Sequence, residues 1–144
     1  WAMLEPTFLQ LVGITGHKPD VLVIHLRGNN LTTCGRGPLL QAMRKSLATL
    51  AILLGRGELV WSEILPREQW LGAGSPAVIE MSRRRLNMSI QKFTMQQGLG
   101  FNRHSVLNRR VSCNFDADGV HLSDLGTDIF LQNIKEALEK VGCT

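Results

Sequence analysis

The sequence predicts an α/β protein, a parallel sheet with helices on both of its faces. Short runs rich in β-branched and apolar residues alternate along the chain with longer stretches of helical periodicity, which is the pattern of β–α–β units. The chain has 144 residues, of which 44% are hydrophobic and 19% charged, so it can bury a core and has the composition of a folded protein. We expect residues 1–144 to lie in a single domain.

The first half of the chain supplies a helix, a strand and a second helix. Apolar residues at helical spacing, with Pro6 near the start, predict a helix over Glu5–Ile14. Val21–Leu26 is a short continuous apolar run, which is typical of a strand buried on both faces of a sheet. Pro38–Leu54 carries an apolar stripe of helical period and is followed by Gly55, a common residue at a helix C-terminus.

The second half continues the alternation. Glu58–Leu65 has the pattern of a second strand that stops at Pro66, and Pro76–Gln97 has that of a long helix. Leu99–Arg103 predicts a short third strand, and Ser123 can cap a last helix. The residues predicted for the buried face of that helix are Leu125, Ile129, Phe130, Ile134, Leu138 and Val141.

The strand predicted at Val21–Leu26 lacks a neighbour on one side. Only two later strands are visible, and nothing before it has the pattern of a strand. A strand of the buried type left at an open edge is an aggregation hazard. The chain also begins at Trp1 and not at a methionine. We therefore expect that a strand preceding Trp1 is missing from these residues or is supplied by another chain.

Two groups of polar residues follow predicted strands, where open parallel sheets bind their ligands. Arg27–Asn30 comes directly after the first strand, and its amides could stabilise a developing negative oxygen, although a plain turn explains the same residues. In Asp118–His121, the carboxylate can accept the Nδ1 proton of the imidazole and leave Nε2 as a general base. A loop aspartate and a surface histidine are the alternative. Together, the two groups are two parts of a serine-hydrolase constellation.

Three blocks, Pro19–Leu31, Leu59–Arg67 and Ala117–Gly126, resemble the SGNH (GDSL-type) hydrolases, and most closely a vertebrate-genome subgroup of them. The resemblance covers nearly the whole chain. It implies a three-layer α/β/α, flavodoxin-like fold and the hydrolysis of small esters through a serine acyl-enzyme. It also implies three site residues, with Asn29 as oxyanion-hole donor, His121 as base and Asp118 as its orienting carboxylate. We expect neither a cofactor nor a metal.

The chain departs from the family pattern in ways that bear on activity. The Gly-Asp-Ser block with the nucleophile and the following glycine block are both absent, so we expect an N-terminally truncated domain whose first strands are missing. Arg27 stands where the family has glycine, and Asn30 where it has aspartate. Ser62 could line the pocket, but like Ser75 it lacks the strand–turn–helix setting of a nucleophile. The chain alone should be nearly or wholly inactive, and a catalytically dead binding domain is the alternative.

The charge pattern leaves a nucleic-acid partner open. Sixteen Lys and Arg against twelve Asp and Glu give a net charge of +4, which is mild for a dedicated nucleic-acid domain. Arg83–Arg85 and Lys92 give the third predicted helix a basic face, which is usually solvated but could contact phosphates. Met81, Met88 and Met95 recur every seven residues there, and this pattern most often indicates helix packing.

The remaining features concern the compartment. The longest apolar run, Leu47–Leu54, is far shorter than the roughly 18 residues of a membrane span, so we expect no membrane insertion. Cys34, Cys113 and Cys143 are odd in number and have no metal-ligand spacing. Three free thiols favour a reducing compartment, and we expect a cytoplasmic protein.

Overall fold

The computed structural model of the chain describes residues 1–142 and has the predicted alternation of helices and strands. Cys143, one of the predicted free thiols, lies outside the described residues. Two short 3₁₀ helices, Leu107–Arg109 and Ser112–Asn114, precede the last helix. The other elements are α1 (Leu4–Thr15), β1 (Val21–His25), α2 (Asn30–Thr33), α3 (Arg36–Leu54), β2 (Glu58–Ser62), α4 (Pro76–Gln96), β3 (Gly100–Asn102) and α5 (Asp124–Gly142).

The three strands form one parallel sheet in the order β1-β2-β3. In its register, Val23 lies opposite Val60, and Val60 lies opposite Gly100. Because β1 is at an edge of this sheet, its residues are half-buried with the exception of Ile24, and the prediction of a strand buried on both faces is wrong. The outer side of β1 pairs with no other strand of residues 1–142. That a strand precedes Trp1 stays a prediction.

Helices cover both faces of the sheet, because successive side chains of a strand point to opposite faces. Ile24 and Trp61 point into the main core, where they pack with apolar residues of α1, α3 and α4, and Trp61 is completely buried. Trp1 stacks on Trp61 with 5.5 Å between ring centroids. The neighbouring residues His25 and Ser62 point the other way, toward α5, where the ring of Phe130 lies 4.8 Å from that of His25. The result is an α/β fold of three layers.

The last helix begins as predicted, and part of its predicted face is buried. The Ser123 hydroxyl accepts a hydrogen bond from the Gly126 amide at 3.1 Å, which is an N-cap contact. Leu125 and Leu138, predicted to be buried, are exposed, while Gly126 and Ala137 are buried. The other predicted residues, Ile129, Phe130, Ile134 and Val141, are half-buried, because a sheet of three strands covers only a narrow part of the helix.

The fourth helix also differs from its prediction. Met81, Met88 and Met95 lie on its solvent face, so they do not pack in the core. Arg83 is 2% exposed, and its guanidinium binds the Glu80 carboxylate at 2.7 and 2.9 Å. The predicted basic face over Arg83–Arg85 is therefore not continuous, because its first arginine is a buried structural residue.

Cys34 and Cys113 are exposed free cysteines. Within residues 1–142, each helix is too short or too polar to cross a bilayer.

Candidate active site

Asp118 and His121 lie on a tight turn just before α5. The Gly119 amide donates to the Asp116 carbonyl at 2.9 Å, and the Asp116 amide donates to the His121 carbonyl at 2.9 Å. Gly119 has a φ of 65°, in the left-handed region that glycine enters without strain. The glycine therefore permits the bend that returns His121 to the vicinity of Asp118.

The Asp118 carboxylate holds the imidazole from two directions. Its Oδ2 accepts from Nδ1 of His121 at 2.6 Å, and its Oδ1 accepts from the amides of Val120 and His121 at 2.8 and 2.9 Å. Hydrogen bonds from the His121 side chain and then from these two amides hold the pKa of Asp118 well below its usual range. Its carboxylate is therefore charged at neutral pH and fixes the position of the ring.

The opposite nitrogen of the same ring faces a guanidinium. Nη1 of Arg27 lies 3.3 Å from Nε2 of His121. A guanidinium can only donate, so Nε2 is the acceptor and the ring proton is on Nδ1, toward Asp118. This tautomer is the one in which Nε2 can act as a general base.

Asn29 lies where the loop after β1 enters α2. The loop approaches the segment after β2 closely, since a Cβ added to Gly28 would lie 3.0 Å from Ile64 and 3.2 Å from Trp70. The Asn29 side chain makes no helix-capping hydrogen bond. Its Oδ1 accepts from Nη2 of Arg67, whose guanidinium lies 4.9 Å from the centroid of the Trp70 ring. This contact leaves both Nδ2 protons of Asn29 available to another acceptor.

The segment that carries Arg67 is fixed at both ends. The Asn87 carboxamide accepts from the Ile64 amide at 3.0 Å and donates to the Ile64 carbonyl at 2.9 Å. After Arg67, the amides of residues 68–69 both donate to the Gly119 carbonyl at 2.9 Å. The turn that carries Asp118 and His121 is thus attached directly to the segment that orients Asn29.

These residues surround one cavity of about 280 Å³. Arg27 and Gly28 line it from the end of β1, Arg67 from the segment after β2, and His121 from the turn before α5. Asn29 is joined to it through Arg67. Its apolar wall is formed by Leu65, Pro66, Val120, Leu122 and Phe130. The two groups predicted from sequence are therefore brought to the same place.

The cavity holds a base and a nearby amide donor but lacks a serine. Among its lining residues Thr127 has the only hydroxyl, and that hydroxyl makes no hydrogen bond to His121. Ser62 is not in the lining, because it is completely buried beneath it. The arrangement can accept a proton at Nε2 of His121 and donate hydrogen bonds from Asn29. It would need a nucleophile from elsewhere to open an ester.

Ser62 belongs to a buried cluster that the sequence analysis missed. Its Oγ lies 2.6 Å from Nε2 of His104 and 3.0 Å from Nδ1 of His25. Burial first, and then the charge of Arg27, lower the pKa of His25 to about 4, while burial and then His25 lower that of His104 to about 4. Both rings are therefore neutral, and their hydrogen bonds to Ser62 join the ends of the three strands. The sequence offered one signal for this cluster, because His25, Ser62 and His104 each lie near the end of a predicted strand.

Comparisons with known proteins show which solved structures have a similar fold. No model of a known protein family matches the chain, and no curated protein is similar to it in sequence. Among solved structures, it is similar to a predicted acylhydrolase from Bacteroides fragilis, with a TM-score of 0.70 and 18% identity over 85% of this chain. A GDSL-like lipase from Bacteroides thetaiotaomicron gives a TM-score of 0.68 and 20% identity over 85% of this chain, and TesA gives 0.67 and 18% over 94%.

The chain spans 62% and 63% of the length of the first two of these structures and 70% of TesA. At these identities the likeness establishes a shared fold. The prediction of an α/β fold like that of the GDSL-type hydrolases is confirmed.

Proposed function

We propose that the chain is part of an SGNH (GDSL-type) hydrolase domain, one that hydrolyses a small ester through a serine acyl-enzyme. The observation that carries this proposal is the His121 ring, held by Asp118 with its basic Nε2 toward the cavity that Arg67 and Asn29 border. The shared fold and the three sequence blocks, which resemble a vertebrate-genome subgroup of these hydrolases, support it.

Each residue has a role that follows from its contacts. A serine hydroxyl could take the place of the Arg27 guanidinium beside Nε2 of His121. It would give its proton to Nε2 as its oxygen attacks the ester carbonyl. Asp118 would keep the proton-accepting tautomer and stabilise the imidazolium that forms. Nδ2 of Asn29 would donate to the oxyanion. His121 would then return the proton to the leaving alcohol, and water would hydrolyse the acyl-enzyme.

We further propose that these 144 residues are an N-terminally truncated domain and hydrolyse no ester alone. The sequence has no Gly-Asp-Ser block, and the cavity contains no serine. Arg27 also fills the hydrogen-bonding position on Nε2 of His121 that a nucleophile needs. A preceding segment with one more strand would cover the open side of β1 and supply the serine, with the whole forming one domain.

The test is an esterase assay on a longer protein that includes the residues encoded before Trp1. We expect this protein to hydrolyse p-nitrophenyl acetate and the 144-residue chain to show only the background rate. His121→Ala should abolish the activity, and Asp118→Asn should lower it by about 10⁴-fold because it misorients the imidazole. A longer protein without activity, or one whose activity survives His121→Ala, would overturn the proposal.

A binding domain without catalysis is the second candidate, because Arg27 and Asn30 both alter the block that carries Asn29. A nucleic acid is one such partner, contacted through the exposed Arg84 and Arg85. Since Arg83 is internal, this surface is smaller than the sequence suggested. Salt-sensitive retardation of RNA or DNA by the chain supports this candidate, and no binding at low salt excludes it.

The exposed thiols of Cys34 and Cys113 support a reducing compartment such as the cytoplasm.

A further inference from the structure

Arg27 and Arg67 both line the cavity described above, and neither has a carboxylate partner. The ion pairs within residues 1–142 involve Arg83, Arg84, Lys135 and His121 and include neither of these arginines. Arg67 is half-buried and Arg27 is exposed at the rim of the cavity, and an arginine withdrawn from bulk water is usually paired with an acidic group. Two guanidiniums without a carboxylate partner beside one small cavity therefore need an explanation.

The contacts that the two guanidiniums do make are with neutral acceptors. Arg27 donates to Nε2 of His121, and Arg67 donates to the Asn29 carboxamide. A guanidinium has five N–H donors, so most of them remain free in each arginine. Planar guanidinium groups with several free donors are the side chains best suited to bind carboxylates and phosphates.

The nearby acidic group does not neutralise the pair. Asp118 is held by His121 and two backbone amides, and it balances one of the two positive charges. His25 is neutral. Burial first, and then the nearby charge of Arg27, lower the pKa of Arg67, an effect that Asp118 opposes. Two like charges beside one cavity repel each other. One positive charge is left over, and an anion would relieve the repulsion.

The other residues that line the cavity indicate the size and polarity of the molecule that it can hold. Leu65, Pro66, Leu122 and Phe130 give it an apolar wall, and its volume of about 280 Å³ suits a small molecule. We propose that this cavity binds a small organic anion, in which a carboxylate or phosphate is held by Arg27 and Arg67 and an apolar body packs against that wall. The proposal needs neither the serine nor the acyl chemistry, so it can fail or succeed independently of the hydrolase proposal.

The test is calorimetric titration of the 144-residue chain at low ionic strength with benzoate, phenyl phosphate and the neutral analogue benzamide. We expect at least one anion to bind and benzamide to bind at least about tenfold more weakly, since it lacks the charge. The tighter of the two anions identifies the head group. Equal binding of benzamide, or no binding of either anion, overturns the proposal.

Variants separate this site from the general basicity of the chain. Arg27→Gln and Arg67→Gln should each weaken binding of the preferred anion by about tenfold, and the double variant should bind no better than it binds benzamide. Arg109→Gln is the matched control, because Arg109 is an exposed arginine outside the cavity. Circular dichroism confirms that each variant is folded. If Arg109→Gln weakens binding as much as Arg27→Gln, the proposal is wrong.

Discussion

At the scale of single residues, Arg27 has the largest consequence. It stands where the hydrolase family that the sequence resembles has glycine, and its guanidinium donates a hydrogen bond to Nε2 of His121. In the longer protein, Arg27→Gly should free this nitrogen and raise the rate of p-nitrophenyl acetate hydrolysis roughly fivefold, since a hydrogen bond of about 1 kcal/mol no longer competes with the serine. The neutral acetate ester avoids any effect of Arg27 on an anionic substrate. An unchanged or lower rate would show that Arg27 does not compete.

Asn29 provides a second prediction at this scale. Its Oδ1 is bound by Arg67, so its amide donor is free for an oxyanion. In the longer protein, Asn29→Ala should lower kcat by about 10²–10³-fold with little change in KM, because the contact forms only in the transition state. Asn30→Ala is the control, since the side chain of Asn30 makes no hydrogen bond within the described residues, and it should change kcat less than about threefold. Equal effects of the two variants would contradict the role of Asn29.

The sequence predicted part of this site well. A carboxylate three residues before a histidine is a local pattern, and the turn places Asp118 and His121 as that spacing suggests. Arg67, in contrast, was visible only as the last residue of a block that resembles the hydrolase family, and its contact with Asn29 depends on how the segment after β2 meets the loop after β1. No local pattern encodes a contact between residues 38 positions apart.

At the scale of elements, α5 packs closely against the residues that precede it at Gly126. A Cβ on Gly126 would lie 2.1 Å from the carbonyl oxygen of Asn114, so the helix would have to move away. Gly126→Ala should lower the free energy of unfolding by about 1–3 kcal/mol in a urea titration. Gly13→Ala in α1 is the matched control, because a Cβ there meets nothing within 4 Å, and it should be neutral or stabilise by up to about 1 kcal/mol. A loss of stability in Gly13→Ala as large as in Gly126→Ala would refute this packing argument.

The same elements show what sequence periodicity can and cannot establish. It located the helices and strands to within a few residues, because apolar spacing reports secondary structure. It predicted burial for Leu125 and Leu138 of α5 and packing for the methionines of α4, which are all exposed, because burial depends on how much of a neighbouring surface is present. With three strands, the sheet covers less of each helix than a larger sheet would.

At the scale of the whole molecule, the imidazoles of His25 and His104 join the ends of all three strands through Ser62. Their pKa values of about 4 lie below the ordinary 6.5 of an unfolded histidine, so the unfolded chain binds more protons between these values. The free energy of unfolding is therefore highest above about pH 6.5, as far as these two histidines contribute to it, and it falls as the pH drops toward 4. The fall is at most roughly 3 kcal/mol for each ring, and less than additive because the rings share one serine.

Urea titrations at pH 7.5 and pH 5 measure this effect. The unaltered chain should lose stability between the two, and His104→Gln, which cannot titrate, should lose clearly less, even though it starts from a lower value. Exposed His17, changed to Gln, is the control and should leave the pH dependence unchanged. If His104→Gln and the unaltered chain lose the same free energy, the buried histidines do not govern the pH dependence.

Asp118 holds the imidazole of His121 with Nε2 toward the cavity, and the proposed catalysis depends on this arrangement. Long-range ¹H–¹⁵N NMR of the 144-residue chain at neutral pH measures this directly, because the two ring nitrogens have different shifts when one carries the proton. We expect the proton on Nδ1 and none on Nε2, and we expect Asp118→Asn to abolish this preference. A proton on Nε2, or a ring that exchanges freely between the two forms in the unaltered chain, would contradict it.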